Sequence, residues 1–278
     1  MMYAPFYAIS FAFGATIASF LNVVVWRVPR GESIVSPRSH CPKCGATIRW
    51  WQNIPVLSWL ALRGRCANCS EPISPRYLFV EILGGALFAA AFWRYGIFAP
   101  LAWVWISLMI TGSFIDFDHK LRPDFVTVGG MVYGIAVSVS FWAAGVFCGV
   151  SLPPPDGSAF FIKPLTSLLG AAVGFGSLWL VRFLGTLAFR REAMGMGDVL
   201  LLGAVGALQG PVATVAVIII SSIAGSAVGL SAIALSKTKF GSFAEIPFGP
   251  YICLGSLVWM FRGPELASWY LGFLGFGP

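Results

Sequence analysis

Charge is what this sequence lacks. Only 10% of its 278 residues are Asp, Glu, Lys or Arg, while 58% are hydrophobic, against about 25% charged in an average soluble domain. Too little polar surface remains to cover a body in water. Also missing are the segments of about 10 residues with alternating polarity that build an outer-membrane barrel. The first apolar run has no basic segment before it and no clear cleavage site, and it exceeds the usual apolar core of about 7 to 15 residues in a secretory signal. It reads as a retained first helix. No glycine-rich nucleotide fingerprint, internal repeat or low-complexity tract stands out.

What is present is a succession of apolar runs, at about 5 to 26, 78 to 93, 98 to 115, 125 to 147, 164 to 189, 199 to 209, 211 to 235 and 246 to 261. A helix needs roughly 20 mainly apolar residues to cross a bilayer, so the expected fold is all-α, a polytopic bundle with about eight transmembrane segments. The run 199 to 209 is too short to cross alone at about 1.5 Å per residue. It must be re-entrant, tilted or extended at one end.

Eight of the eighteen Lys and Arg, namely Arg27, Arg30, Arg38, Lys43, Arg49, Arg63, Arg65 and Arg76, lie between the first two runs. By the positive-inside rule this insert is cytosolic, and Lys120, Arg122, Arg190, Arg191, Lys237 and Lys239 fall on the same side. Both termini are then outside, and Pro153, Pro154, Pro155, Asp156 and Gly157 form an outer loop, since consecutive prolines cannot continue a helix. The formal charge of +7 records this topology, so membrane lipid is an expected partner and nucleic acid is not. The domains divide as 1-26, first transmembrane helix; 27-76, cytosolic insert; and 77-278, transmembrane bundle.

The insert carries Cys41-Pro-Lys-Cys44-Gly and, after 21 further residues, Cys66-Ala-Asn-Cys69. Paired CxxC knuckles let four thiolates reach one ion in a tetrahedral zinc site. Two disulfides are the alternative, but cytosolic thiols stay reduced. Iron fits the same cage. Four thiolates close the shell, so the metal is structural and organises an insert too small for a secure core of its own. His40 reads as a loop residue, and Cys148 and Cys253 as packing residues.

Carboxylates are scarce, with eleven Asp and Glu in all. An Asp at the centre of a membrane helix costs about 2.5 to 3.5 kcal/mol on insertion scales, so their placement carries information. Asp116 closes the third run and Asp198, in Gly195-Met196-Gly197-Asp198, opens the sixth. Both fall at the cytosolic boundary, where they can meet. Two adjacent carboxylates share a proton, one acting as base toward water and the other as acid toward a scissile carbonyl. As an alternative, Asp198 and Asp124 are helix N-caps, and spacing does not choose between Asp116 and Asp118. Glu81, one turn inside the second run, either snorkels or faces a cavity. Arg182 snorkels toward the cytosol.

The chain resembles the bacterial type IV prepilin peptidases, aspartic peptidases with a Gly-x-Gly-Asp motif that are bifunctional leader peptidases and N-methyltransferases. The matching elements are Ala18-Ser19-Phe20-Leu21-Asn22-Val23 before Arg27-Val28-Pro29, both CxxC knuckles, and Pro75-Arg76-Tyr77 leading to Glu81. They continue with Ile115-Asp116 before Pro123-Asp124, Gly195-Met196-Gly197-Asp198, and Ile246-Pro247-Phe248-Gly249-Pro250.

The resemblance implies Asp116 and Asp198 as the catalytic pair. It implies as substrate a prepilin or pseudopilin of type IV pili or type II secretion, with a short basic leader ending in Gly, cut at the cytosolic face of the inner membrane before a hydrophobic residue, usually Phe. It further implies methylation of the new amine with S-adenosylmethionine, associated with about residues 1-95, with Glu81 as the candidate cofactor residue. Leu200 departs from the pattern, which usually has Lys there. The competing readings are a peptidase without methyl transfer, and a non-enzymatic membrane transporter or scaffold whose zinc insert binds a partner.

Overall fold

The computed structural model describes residues 4–148, 163–192, 194–235, 247–273 and 275. The proline-rich loop at 153–157, Lys237, Lys239, Ile246 and the side chain of Cys148 lie outside the described residues. Within the described residues eight α-helices follow in order: α1 Ala4–Arg27, α2 Leu57–Ala61, α3 Pro75–Tyr95, α4 Ala99–His119, α5 Asp124–Cys148, α6 Pro164–Phe189, α7 Met196–Leu235 and α8 Gly249–Phe273. Among the described residues there is no strand, only two isolated bridges, His40 with Thr47 and Arg65 with Pro72. The all-α expectation holds.

Among the described residues, five stretches are long and apolar enough to cross a membrane: Ala4–Arg30, Pro75–His119, Asp124–Phe147, Pro164–Phe189 and Met196–Ser231. Two of them are broken within. Gly96, at φ 54°, parts α3 from α4. Gly210, at φ 86° and ψ 176°, breaks α7 just before Pro211, a conformation only glycine adopts readily, followed by a residue that cannot donate to the preceding turn. Helix α8 reaches Phe273, beyond the expected end at 261, and carries Arg262, Pro264 and Glu265 in its second half.

Contacts divide the chain into two units, Met1–Thr111 and Gly112–Pro278. In the first, α1 packs on α3 through small residues. A Cβ on Gly84 would strike that of Ala18, and one on Gly14 would sit 2.6 Å from the Phe88 Cβ. Without a hydrophobic force between helices in lipid, such close backbone approach supplies the van der Waals contact that holds them. Trp103 stacks on Phe88 at 5.2 Å and donates to the Phe88 carbonyl at 2.9 Å, which fastens the start of α4.

In the second unit α7 is the central element. Gly170 of α6 and Gly206 of α7 meet backbone to backbone, and Gly134 of α5 lies against Ala207 and Leu208. Ser167 donates to the Ala207 carbonyl at 2.6 Å. Along α8, Tyr251, Gly255 and Ser256 face Ser221, Val217 and Gln209 in turn. The second arm of α7 therefore runs antiparallel to α8, the first arm parallel to it, and the chain reverses at Gly210. The short run 199 to 209 is thus extended at its start, to Met196, and ends in a hairpin. The buried pair Gln209 and Ser256 satisfies itself by two bonds, at 3.0 and 3.2 Å, as polar groups in lipid must.

Candidate active site and metal centre

The acidic site is assembled from helix ends of the second unit. Helix α4 closes where Lys120 takes φ 52° and its amide returns to the Asp116 carbonyl at 2.9 Å, a left-handed stop that leaves Asp116 on the last turn. Pro123 stands immediately before α5 and accepts from the Val126 amide at 2.9 Å, so the linker is short and Arg122 lies in it. Asp198 sits in the first turn of α7, past its start at Met196. It is inside the helix and not at the N-cap, where free amides still favour a negative group.

Asp116 is 2% exposed and Asp198 5%, whereas Asp118 is exposed. Between the two buried acids reaches Arg122. Its Nη2 donates to Asp116 Oδ2 at 2.8 Å and lies 2.7 Å from Asp198 Oδ1. Two oxygens that touch one nitrogen cannot be further apart than those contacts laid end to end, so the carboxylates share a single point within hydrogen-bond reach of both. The second contact is close but poorly aligned: Asp198 Oδ1, like Arg122 Nε, is buried without a hydrogen-bond partner. Glycines leave the arginine its room. A Cβ on Gly197 would lie 2.9 Å from the Arg122 Cβ and Cδ, and one on Gly249 would lie 2.6 Å from both Arg122 Nε and Asp116 Oδ2.

Sequence reading missed Arg122, which it counted only as a topological charge. The available signal was its position, one residue before Pro123-Asp124 and a few after Asp116. Leu200, where the resemblance leads one to expect Lys, is half-buried. The cation at the acids comes instead from the α4–α5 linker.

In the first unit the two CxxC knuckles are backbone copies, a short repeat the sequence conceals. The Cys41 amide donates to the Ala46 carbonyl and the Gly45 amide to that of Cys41. In the second knuckle, the Cys66 amide donates to Glu71 and the Ser70 amide to Cys66. Gly45 and Ser70 occupy the matching left-handed position, at φ 70° and 60°, so glycine at one site and a strained serine at the other hide the likeness.

All four thiols are free, and the sulfurs lie within 4.8 Å of one another. Cys41 and Cys69 are 3.8 Å apart. That is too long for a disulfide at about 2.05 Å and matches the edge, about 3.8 Å, of a sulfur tetrahedron around an ion at about 2.3 Å. These residues fit a metal. Asn68 Nδ2 donates to the Cys44 sulfur at 3.5 Å. This amide, then the Ala46 backbone, draws the Cys44 thiol down to about 6. Against a bond from the Glu71 backbone, desolvation and the neighbouring sulfurs push Cys69 up to about 12, so a bound metal would itself have to draw all four to the thiolate. Asn68 is a second residue that motif reading passed over. Arg27, buried at the end of α1, donates to the carbonyls of Ser33 and Pro37, each at 2.8 Å, and pins the loop leading to the first knuckle.

Glu81 is buried on α3, and its Oε2 accepts from the Val56 amide at 2.7 Å. Val56, at φ 65°, immediately precedes α2, so this carboxylate anchors the insert to the helix. Cys253 is buried on α8. Arg182 pairs with Glu192 at 3.2 Å.

Residues 12–95 match the family described as the bacterial peptidase A24 N-terminal domain, and residues 103–230 match the type IV leader peptidase family. The chain is 39% identical over 273 residues to a prepilin leader peptidase/N-methyltransferase of Myxococcus xanthus, covering 96% of this chain and 76% of that one. A protein of the same name from Legionella pneumophila is 35% identical over 290 residues, 94% of this chain and 93% of that one. A type 4 prepilin-like proteins leader peptide-processing enzyme of Escherichia coli is 36% identical over 267 residues, 88% and 89%. No solved structure matches the chain.

Proposed function

The chain belongs to the type IV leader peptidase family, and from that premise we propose that it cuts the leader from prepilin-like precursors and methylates the amine this exposes. Asp116 and Asp198 are the catalytic pair of this proposal. The observation that carries it is their convergence: two buried carboxylates, distant in sequence, touch one common atom position. A water at that position contacts both. One acid takes its proton as the oxygen attacks the scissile carbonyl, and the other donates toward the carbonyl oxygen, after which the C–N bond breaks and the amine leaves protonated.

Cys41, Cys44, Cys66 and Cys69 hold a zinc ion in this reading, supported by the sulfur spacing. With four thiolates around it the ion orders the insert and activates no water. S-adenosylmethionine supplies the methyl group that the new N-terminal amine accepts. Glu81 Oε2 is occupied by the Val56 amide, so its contribution here is to hold the insert against α3. In this reading the knuckles and the acids lie on the cytosolic side of the inner membrane, where a basic leader lies before export. The basic residues of the insert and Arg122 support that topology under the positive-inside rule.

The test is purified protein in lipid nanodiscs, a synthetic precursor and a labelled methyl donor, with mass spectrometry of the products. Wild type yields a cut, methylated terminus. Asp116→Asn and Asp198→Asn leave nearly all of the precursor intact, and cleavage by either variant at the wild-type rate removes that acid from the mechanism.

A further inference from the structure

The point both acids share is filled by a side chain of the protein itself. Arg122 Nη2 stands 2.8 Å from Asp116 Oδ2 and 2.7 Å from Asp198 Oδ1, the distances a water would keep from two acceptors. A nitrogen and a water cannot both be there. We propose that Arg122 holds the seat of the attacking water in the substrate-free protein, keeping both carboxylates trained on it, and gives it up when a precursor enters. Arg122 is thus a positioning residue, and hydrolysis is confined to peptides that can displace it. This inference rests on the catalytic reading of Asp116 and Asp198.

Three features of the geometry fit a seat made to be vacated. The guanidinium is bound incompletely: its Nε has no partner and its contact with Asp198 is misaligned, so leaving sacrifices less than a fully bonded arginine would lose. Its side chain starts from a short linker and not from within a helix, so a change of backbone torsions at 120–122 can withdraw it without unwinding α4 or α5. Its path is lined by Gly197 and Gly249, which offer no Cβ to trap it. Meanwhile the charge balance holds it in place. The carboxylate that stays ionised attracts the guanidinium until another positively charged group competes for it, and a peptide with a basic leader brings one.

The experiment uses the full chain in nanodiscs with Arg122→Met, which keeps the length of the side chain and removes its charge and donors. Arg122→Gln is the second variant should the first fail to accumulate. Two quantities are read. The first is modification of Asp116 and Asp198 by dicyclohexylcarbodiimide without precursor, site by site, by mass spectrometry. The second is KM and kcat for a synthetic precursor. With the seat open, modification rises at least fivefold over wild type and KM falls severalfold, because binding no longer spends interaction on expelling the arginine. Wild-type levels of modification in a folded variant overturn the proposal. So does an unchanged or higher KM, which would place Arg122 among the groups that bind the precursor. Asp116→Asn and Asp198→Asn run alongside; if either still cleaves at the wild-type rate, it is the catalytic reading that fails, whatever Arg122 does.

Discussion

A single methyl group at Gly249 should disable the acids while leaving the fold intact. A Cβ there would lie 2.6 Å from Asp116 Oδ2 and 2.6 Å from Arg122 Nε, and ordinary contact begins at 3.4 Å. Arg122 can swing aside, but Asp116 is buried on the last turn of α4 and must give way. The carboxylate would have to shift by roughly 0.8 Å, and a misplacement of about 1 Å in a reacting group can cost on the order of a hundredfold in rate. Gly249→Ala is therefore expected to lower kcat about a hundredfold with unchanged accumulation in the membrane, measured by cleavage of a synthetic precursor in nanodiscs. Pro250 complicates this, since a proline restricts the residue before it. The double variant Gly249→Ala/Pro250→Ala lifts that restriction, keeps the methyl, and should be equally impaired. Gly176→Ala, whose Cβ meets nothing within 4 Å, should behave as wild type. Cleavage by Gly249→Ala within threefold of wild type would refute the geometry.

Asp116→Asn and Asp198→Asn should each lose about two to four powers of ten in kcat, the span of general acid–base catalysis, in the same cleavage assay. Elemental analysis of the purified protein should find about one zinc per chain; chelation, or Cys66→Ser, should make residues 28–74 sensitive to protease while the helical circular dichroism persists. Glu81→Ala should loosen the same insert by about 1 kcal/mol, the lower end for an orphaned donor because the Val56 amide is only half-buried, whereas Glu81→Gln keeps an acceptor and should resist protease longer. Gly170→Ala drives a methyl into the Gly206 carbonyl, so it should lower accumulation of folded protein on fluorescence-detected size exclusion.

Composition and periodicity alone determined that this chain is a helical membrane protein, because a bilayer demands long apolar runs and closed backbone hydrogen bonding, and both demands are written locally. The starts and stops of α5 and α6 fell within a residue of the expected ones for the same reason. The knuckles were legible too, since a two-residue gap brings two thiols to one ion wherever it occurs. The resemblance supplied Asp116 and Asp198 as a pair. Only the tertiary structure decided what lies between those acids, because α7 is set against α5 and α6 by packing at Gly134, Gly170 and Gly206, contacts that no spacing in the chain encodes. The break at 210 showed in the sequence only as the gap between the runs 199 to 209 and 211 to 235, and the reversal came from where along α8 each arm touches it. Arg122 was hidden for the plainest physical reason: a cation near a membrane boundary has a sufficient explanation in topology, and its place between the acids exists only once the fold has brought two buried carboxyl groups within its reach.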